Sequence, residues 1–260
     1  MALLLIASFL SDPAAQGTEM TATEVREAIA RAMAEGRQPD LSGRDLSGLD
    51  LSEVDFGRGN FRDARFDSTL LEGANLHGVE MQNADLSSAR LAGANLDVAV
   101  LRGAKLVDAD LTGVSAFSTV FAEADLRRAN LEGAVLIGNL DRADLRGANL
   151  KDAIMAPDMR NQPMGLMRVS LVKADLTGAN LEGADLSSGV LEFADFSGAN
   201  LTDANLTRSK AAGARFEGAE LAGAVFEGAD IRNARFVGAR GLERAVGLDL
   251  AKNVESAVFE

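Results

Sequence analysis

The chain has 260 residues, with 26 Gly, one His and no Cys, Trp or Tyr. Without cysteine there is no disulfide, no thiolate metal site and no cysteine nucleophile. A net charge of −13 weighs against non-specific attraction to nucleic acid or to an anionic membrane. In chain order, the first feature is an apolar run, Ala2 to Leu10, within MALLLIASFLSDPAAQG. It is too short to span a bilayer. It reads as the core of a signal peptide at residues 1–17 with Ala15-Gln16-Gly17 as the cleavage match, although its n-region has no Lys or Arg. The expectation is export to the periplasm; the alternative is a cytoplasmic protein that starts at Met20. No other segment reaches transmembrane length, so membrane insertion of the mature chain is not expected.

Residues 18–38 hold the predicted helix, Thr23 to Glu35, with Val25, Ala28, Ile29, Ala32 and Met33 on one face. Thr21 and Glu24 make a capping box, and Gly36 is the stop. The apolar face suits a lid over whatever follows.

From Leu41 a large apolar residue recurs every five positions. These centres run to Leu136, slip by one at Leu140, continue to Met155, and resume from Leu171 to Phe236. Of 38 centres, 25 are Leu and 8 are Phe, and two residues before the centre 25 of the 38 positions are Ala. A period of five fits neither a helix nor a strand. One large and one small inward residue per five imply a chain that turns a corner at every repeat, and four corners close a coil of about 20 residues. Stacked coils lie about 4.8 Å apart. Leu176, Leu181, Leu186, Phe196, Phe216 and Phe236 are then core residues, and the last three, one coil apart, form an aromatic ladder. Asp or Asn just before the centre, as at Asp175, Asn180, Asp185 and Asn200, can hydrogen-bond the turn backbone.

ADLTGANLEGADL, from Ala174, resembles the A(D/N)Lxx pattern of the pentapeptide-repeat family, and the resemblance extends from Leu41 to Phe236. It implies an all-β solenoid, a right-handed quadrilateral (four-sided) β-helix, here with a short N-terminal α-helical cap and a non-repeat C-terminal cap. The repeats occupy 39–155 and 171–238, the loop interruption 156–170 and the C-terminal cap 239–260. Some members of the family dimerise through the C-terminal end, so the resemblance admits a homodimer here. Some acidic members imitate DNA, bind type II topoisomerase (DNA gyrase) and protect it from quinolones. That alternative suits the net charge, but Arg127, Arg128, Arg142 and Arg146 interrupt the acidic surface.

The interruption, APDMRNQPMGLMRVS, holds two of the four Pro and three of the eight Met. It must project from the rod or replace part of a coil. Met159, Arg160, Met164, Met167 and Arg168 are the candidate partner-binding residues, because loops on rigid scaffolds carry function and Met adapts to varied surfaces. Methionines without His or Cys nearby do not argue for copper, and no cofactor is expected. The tail GLERAVGLDLAKNVESAVFE has lost the five-residue period and is expected to cover the last coil. The single His77 follows a centre and faces outward, and half of the carboxylates in the repeats sit where the repeat itself explains them. With no nucleophile–base constellation, no phosphate-binding loop and no cleft, the reading is a non-enzymatic rod that serves as an interaction or structural scaffold for an unidentified protein partner, without direct nucleic-acid binding.

Overall fold

The computed structural model describes residues 20–157 and 167–260. The apolar run at 1–17, and Met159, Arg160 and Met164, lie outside the described residues. The helix α1 spans Ala22–Ala34. Its capping box forms as predicted: the Glu24 amide donates to Thr21 Oγ1 at 3.3 Å and the Thr21 amide donates to Glu24 Oε2 at 2.8 Å. Val25, Ile29 and Ala32 are buried, and Val25 and Ile29 share one apolar core with the first coils. Arg26 donates to the Asp50 carbonyl at 2.9 Å, a main-chain acceptor that has no preceding coil to bond it.

The repeats form a β-helix. Asp40 pairs in parallel with Asn60, Asp45 with Arg65, Asp50 with Leu70 and Asp55 with Asn75, and these four pairings found four columns of bridges that climb the rod at intervals of 20 residues. Between the fourth and first columns, two successive coils lengthen into strands, β1 (Ser115–Val120) and β2 (Val135–Asn139), which pair in parallel. The main-chain bonding is repetitive. The Leu91 amide donates upward to the Asp110 carbonyl at 2.7 Å, the Asp110 amide donates back to the Ala89 carbonyl at 2.9 Å, and Ala94 closes a turn onto the Leu91 carbonyl at 2.9 Å. The third residue of that turn takes positive φ, which is why it is so often Gly, as at Gly93.

The inward residues are those the period selects. Leu176, Leu181, Leu186, Phe196, Phe216 and Phe236 are all fully buried. The aromatic ladder stands as expected: Phe196 and Phe216 stack with centroids 5.1 Å apart and Phe216 and Phe236 at 4.9 Å. Phe259 extends it by a further rung, 5.1 Å from Phe236.

The tail goes further than a cover. Val246, Lys252 and Val258 bridge to Val225, Asp230 and Arg235, so the coil continues while its intervals widen to 21, 22 and 23 residues. Behind this is a six-residue period, GLERAV, GLDLAK, NVESAV, in which Ala245, Ala251 and Ala257 keep the small position. Gly241, Gly247 and Asn253 replace the large centre and take positive φ. Leu242, Leu248 and Val254 follow them and pack against the end of the core.

Two irregularities fall at one place. Between Leu136 and Leu140 a side is one residue short, and bridges across it span 19 residues. Gly138 is required there, since a Cβ would lie 2.2 Å from the Thr119 carbonyl oxygen. In the next coil, Asn139 pairs with Ser170 across 31 residues, eleven more than the usual interval. The columns therefore continue in order across the interruption, the fourth at Ile154 and the first at Ser170, and no coil is replaced. Both the deletion and the insertion lie where the chain passes from the fourth column to the first, hereafter the seam.

Candidate functional site

The second and third columns carry outward side chains that mostly satisfy one another. In the second column acidic and basic residues alternate: Arg65 pairs with Asp45 at 2.7 Å, Lys105 with Asp85 at 3.7 Å, and Arg215 with Asp195 at 3.2 Å. Where acids adjoin, arginines from the neighbouring position intervene. Arg127 binds Asp125 at 2.6 Å and reaches Asp144 at 3.7 Å; Arg146 binds Asp144 at 2.6 Å and reaches Asp175 at 3.7 Å. The Arg146 hydrogen bonds hold the Asp144 carboxyl below the usual carboxylate range against the opposing effect of burial. These pairs are largely exposed, and each contributes about 0–1 kcal/mol.

The third column carries an asparagine ladder. Asn149 donates to Asn130 Oδ1 at 2.9 Å, Asn180 to Asn149 Oδ1 at 3.1 Å and Asn200 to Asn180 Oδ1 at 3.0 Å. The fourth column repeats the device in part, with Asn205 donating to Asp185 at 3.0 Å. The expected bonds to turn backbone are present, as from the Thr177 amide to Asp175 and the Thr202 amide to Asn200.

The first column is partly apolar: its bridge positions include Val100, Val120 and Val190, as those of the fourth include Val135, Ile154, Val225 and Val246. Two exposed apolar side chains flank the first column. Val98, on the seam side, is 48% exposed and Phe193, on the opposite side, is 59% exposed. Both have positive φ, 62° and 60°, and they alone are apolar among the non-Gly residues of that conformation in the described chain. For a β-branched or bulky residue this conformation costs about 1–2 kcal/mol. The Phe193 ring reaches over Gly213, where a Cβ would meet it at 2.6 Å.

Between them is a hollow of about 290 Å³ with Ala122 and Val172 in its lining and Arg102, Glu123, Arg142 and Lys173 around it. Glu123 stands between Arg102 and Arg142 at 3.6 and 3.7 Å. Asp141 accepts from Ser170 Oγ at 2.5 Å and from the Val172 amide at 3.0 Å. Lys173 makes no ion pair among the described residues.

Of the loop candidates, Met167 and Arg168 are described. Met167 is exposed, and Arg168 is half-buried and donates to the Ser188 carbonyl at 3.5 Å, on the coil above. His77 is half-buried beside Arg58, with Nη2 and Nε2 3.2 Å apart. Sequence reasoning missed Val98 and Phe193; the available signal was an apolar residue at the turn position otherwise given to Gly, Asn, Asp, Ser or a long polar side chain. Among the described residues no cluster of His, Cys, Asp and Glu has the makings of a metal site, and no helix is long and apolar enough to cross a membrane.

Comparison with known proteins agrees with the period. The family model for pentapeptide repeats matches residues 40–78, 80–115, 117–156, 166–203 and 199–238. A search of curated proteins found no match. Among solved structures, HetL, a pentapeptide repeat protein involved in heterocyst differentiation regulation from the cyanobacterium Nostoc sp. strain PCC 7120, is 31% identical over 92% of this chain and 99% of its own, with a TM-score of 0.49. A pentapeptide repeat protein from the Arabidopsis thaliana thylakoid lumen is 34% identical over 37% of this chain and 68% of its own, with a TM-score of 0.37. QnrB1, a plasmid-mediated fluoroquinolone resistance protein, is 16% identical over 80% of this chain and 90% of its own, with a TM-score of 0.49. With the family model matched across five stretches from residue 40 to 238, this chain belongs to the pentapeptide-repeat proteins.

Proposed function

We propose that this protein is a non-enzymatic, right-handed and four-sided rod, capped by α1 and by the six-residue coil, that serves as a scaffold for another protein. The observation that carries this reading is the allocation of side chains. Inward residues are spent on packing, and the second and third columns spend theirs on each other, so Asp144 is tied to Arg146 and Asn180 to Asn149. A carboxylate held by a guanidinium in this way, below its usual range, is a poor general acid or base near neutral pH. A regular, stiff surface with an apolar side is suited to holding a partner instead.

The test is site-specific photo-crosslinking in the native host. A benzophenone side chain is placed at one outward position per column, Val100, Lys105, Asp110 or Ser115, and the adducts are identified by mass. Adducts from a single column are expected. No protein adduct from any column overturns the reading.

The alternative, an acidic DNA mimic that binds a type II topoisomerase, has the net charge of −13 in its favour. Against it stands the second column, where Arg127, Arg146 and Arg215 neutralise the carboxylates that would have to imitate phosphates. Purified protein at micromolar concentration is expected to leave gyrase supercoiling unchanged, and inhibition would install the alternative. Export is proposed along with the scaffold role; a mature N-terminus near Thr18, read by mass spectrometry, supports it, and an intact Met1 or Met20 removes it.

A further inference from the structure

We propose that the first-column surface between Val98 and Phe193 is the docking surface, and that its occupant is an acidic peptide segment of a partner protein, flanked by apolar side chains, with one carboxylate seated in the hollow beside Ala122. The inference rests on the scaffold reading and adds to it which side of the rod binds and what chemistry it selects.

Strain supplies the first argument. Val98 and Phe193 are exposed and hold a conformation that Gly or Asn would adopt without cost. Such strain is found where the surroundings or a function demands it. The turn of the repeat imposes this φ throughout the rod, but neither side chain fills the core, so packing does not call for a bulky apolar residue at either turn. The two stand on opposite margins of the first column, about four coils apart, which is roughly 20 Å along the rod. That length suits an extended segment of about six residues. Between the margins, three of the five bridge positions, Val100, Val120 and Val190, are apolar, and Asn139 and Ser170 stand between the last two.

Charge supplies the second. Arg102, Arg142 and Lys173 converge on the hollow in a chain whose net charge is −13. Glu123 balances part of this, but at 3.6 and 3.7 Å it is an ion-pair neighbour of the two arginines with no hydrogen bond to either. Asp141 is turned to Ser170 and Val172. The hollow therefore keeps positive charge, and an incoming carboxylate can take bidentate bonds from an arginine that Glu123 does not occupy in that way. A basic segment would meet repulsion there, and an uncharged one would leave the cations unsatisfied under its cover.

The test is phage display of random short peptides on the full-length protein, followed by binding measurements on two variants. Arg142→Glu with Lys173→Glu reverses the hollow, and Phe193→Asn removes one apolar margin while suiting the backbone. Melting curves establish that both variants are folded. Selected peptides are expected to pair Asp or Glu with Phe, Leu or Ile, and both variants are expected to weaken binding by about tenfold or more. Selection of basic or uncharged peptides, failure to select any peptide, or affinities untouched by both variants overturns the proposal. In the crosslinking experiment, adducts at Lys105 but not at Val100 would also overturn it while leaving the scaffold reading in place.

Discussion

At the scale of single residues, the interior is unforgiving and one class of surface residue is under tension. Phe216 is fully buried, stacked on Phe196 and Phe236 and met edge-on by Phe226 at 5.8 Å. Phe216→Ala is expected to cost about 3–5 kcal/mol, measured by chemical denaturation, because the stiff coil cannot collapse into the space. The opposite sign is expected at Val98. Val98→Asn keeps the fold, relieves the left-handed backbone conformation and raises stability by about 1 kcal/mol on the same measurement. At Gly138 the backbone of the preceding coil leaves no room for a side chain. Gly138→Ala is expected to destabilise by about 1–3 kcal/mol or more.

At the scale of elements, the five-residue period made the coils legible because nearly every repeat places a large and a small residue inward, at a spacing that neither a helix nor a flat strand uses. The Thr21–Glu24 capping box and the Gly36 stop made α1 legible for the same reason: the residues that end a helix are few and chemically specific. Other elements were hidden. The tail conceals its period because Gly241, Gly247 and Asn253 occupy the position where a Leu would announce it, and the alanines at 245, 251 and 257 are too common in this chain to stand out. The insertion was legible in extent but not in placement, since only the pairing of Asn139 with Ser170 shows that no coil is lost to it. The docking surface was hidden most completely. Its hollow joins residues from Arg102 to Lys173, and nothing but coil register brings them together. Because the columns continue across the insertion, replacing residues 156–168 with Glu-Gly restores the five-residue spacing from Met155 to Leu171. That variant is expected to fold, with a melting temperature within a few degrees of the parent, since closing a loop of this length costs only about 1–2 kcal/mol.

At the scale of the whole molecule, stability and charge are coupled through the carboxylates. Bonds from Ser42 hold Asp40 below its ordinary range, those from Ser47 do the same for Asp45, and those from Arg146 for Asp144. A carboxylate whose folded pKa is depressed stabilises the fold at pH values above its unfolded pKa, near 3.9, and loses that contribution as pH falls through the folded value. The melting temperature is therefore expected to be flat between about pH 7 and pH 5 and to drop below about pH 4. A scan of thermal melts against pH checks this; a rod whose stability rises on acidification would contradict it.

The seam has one more consequence. Ten nearly identical coils offer a partner ten nearly identical places to sit, and a partner that reads only the repeat would slide along them with no preferred stop. A missing residue followed in the next coil by eleven additional ones marks one location on one side of the column, while the other sides keep their even spacing. The interruption thus acts as a graduation mark on an otherwise blank ruler, giving the molecule a fixed origin from which position along its length can be told.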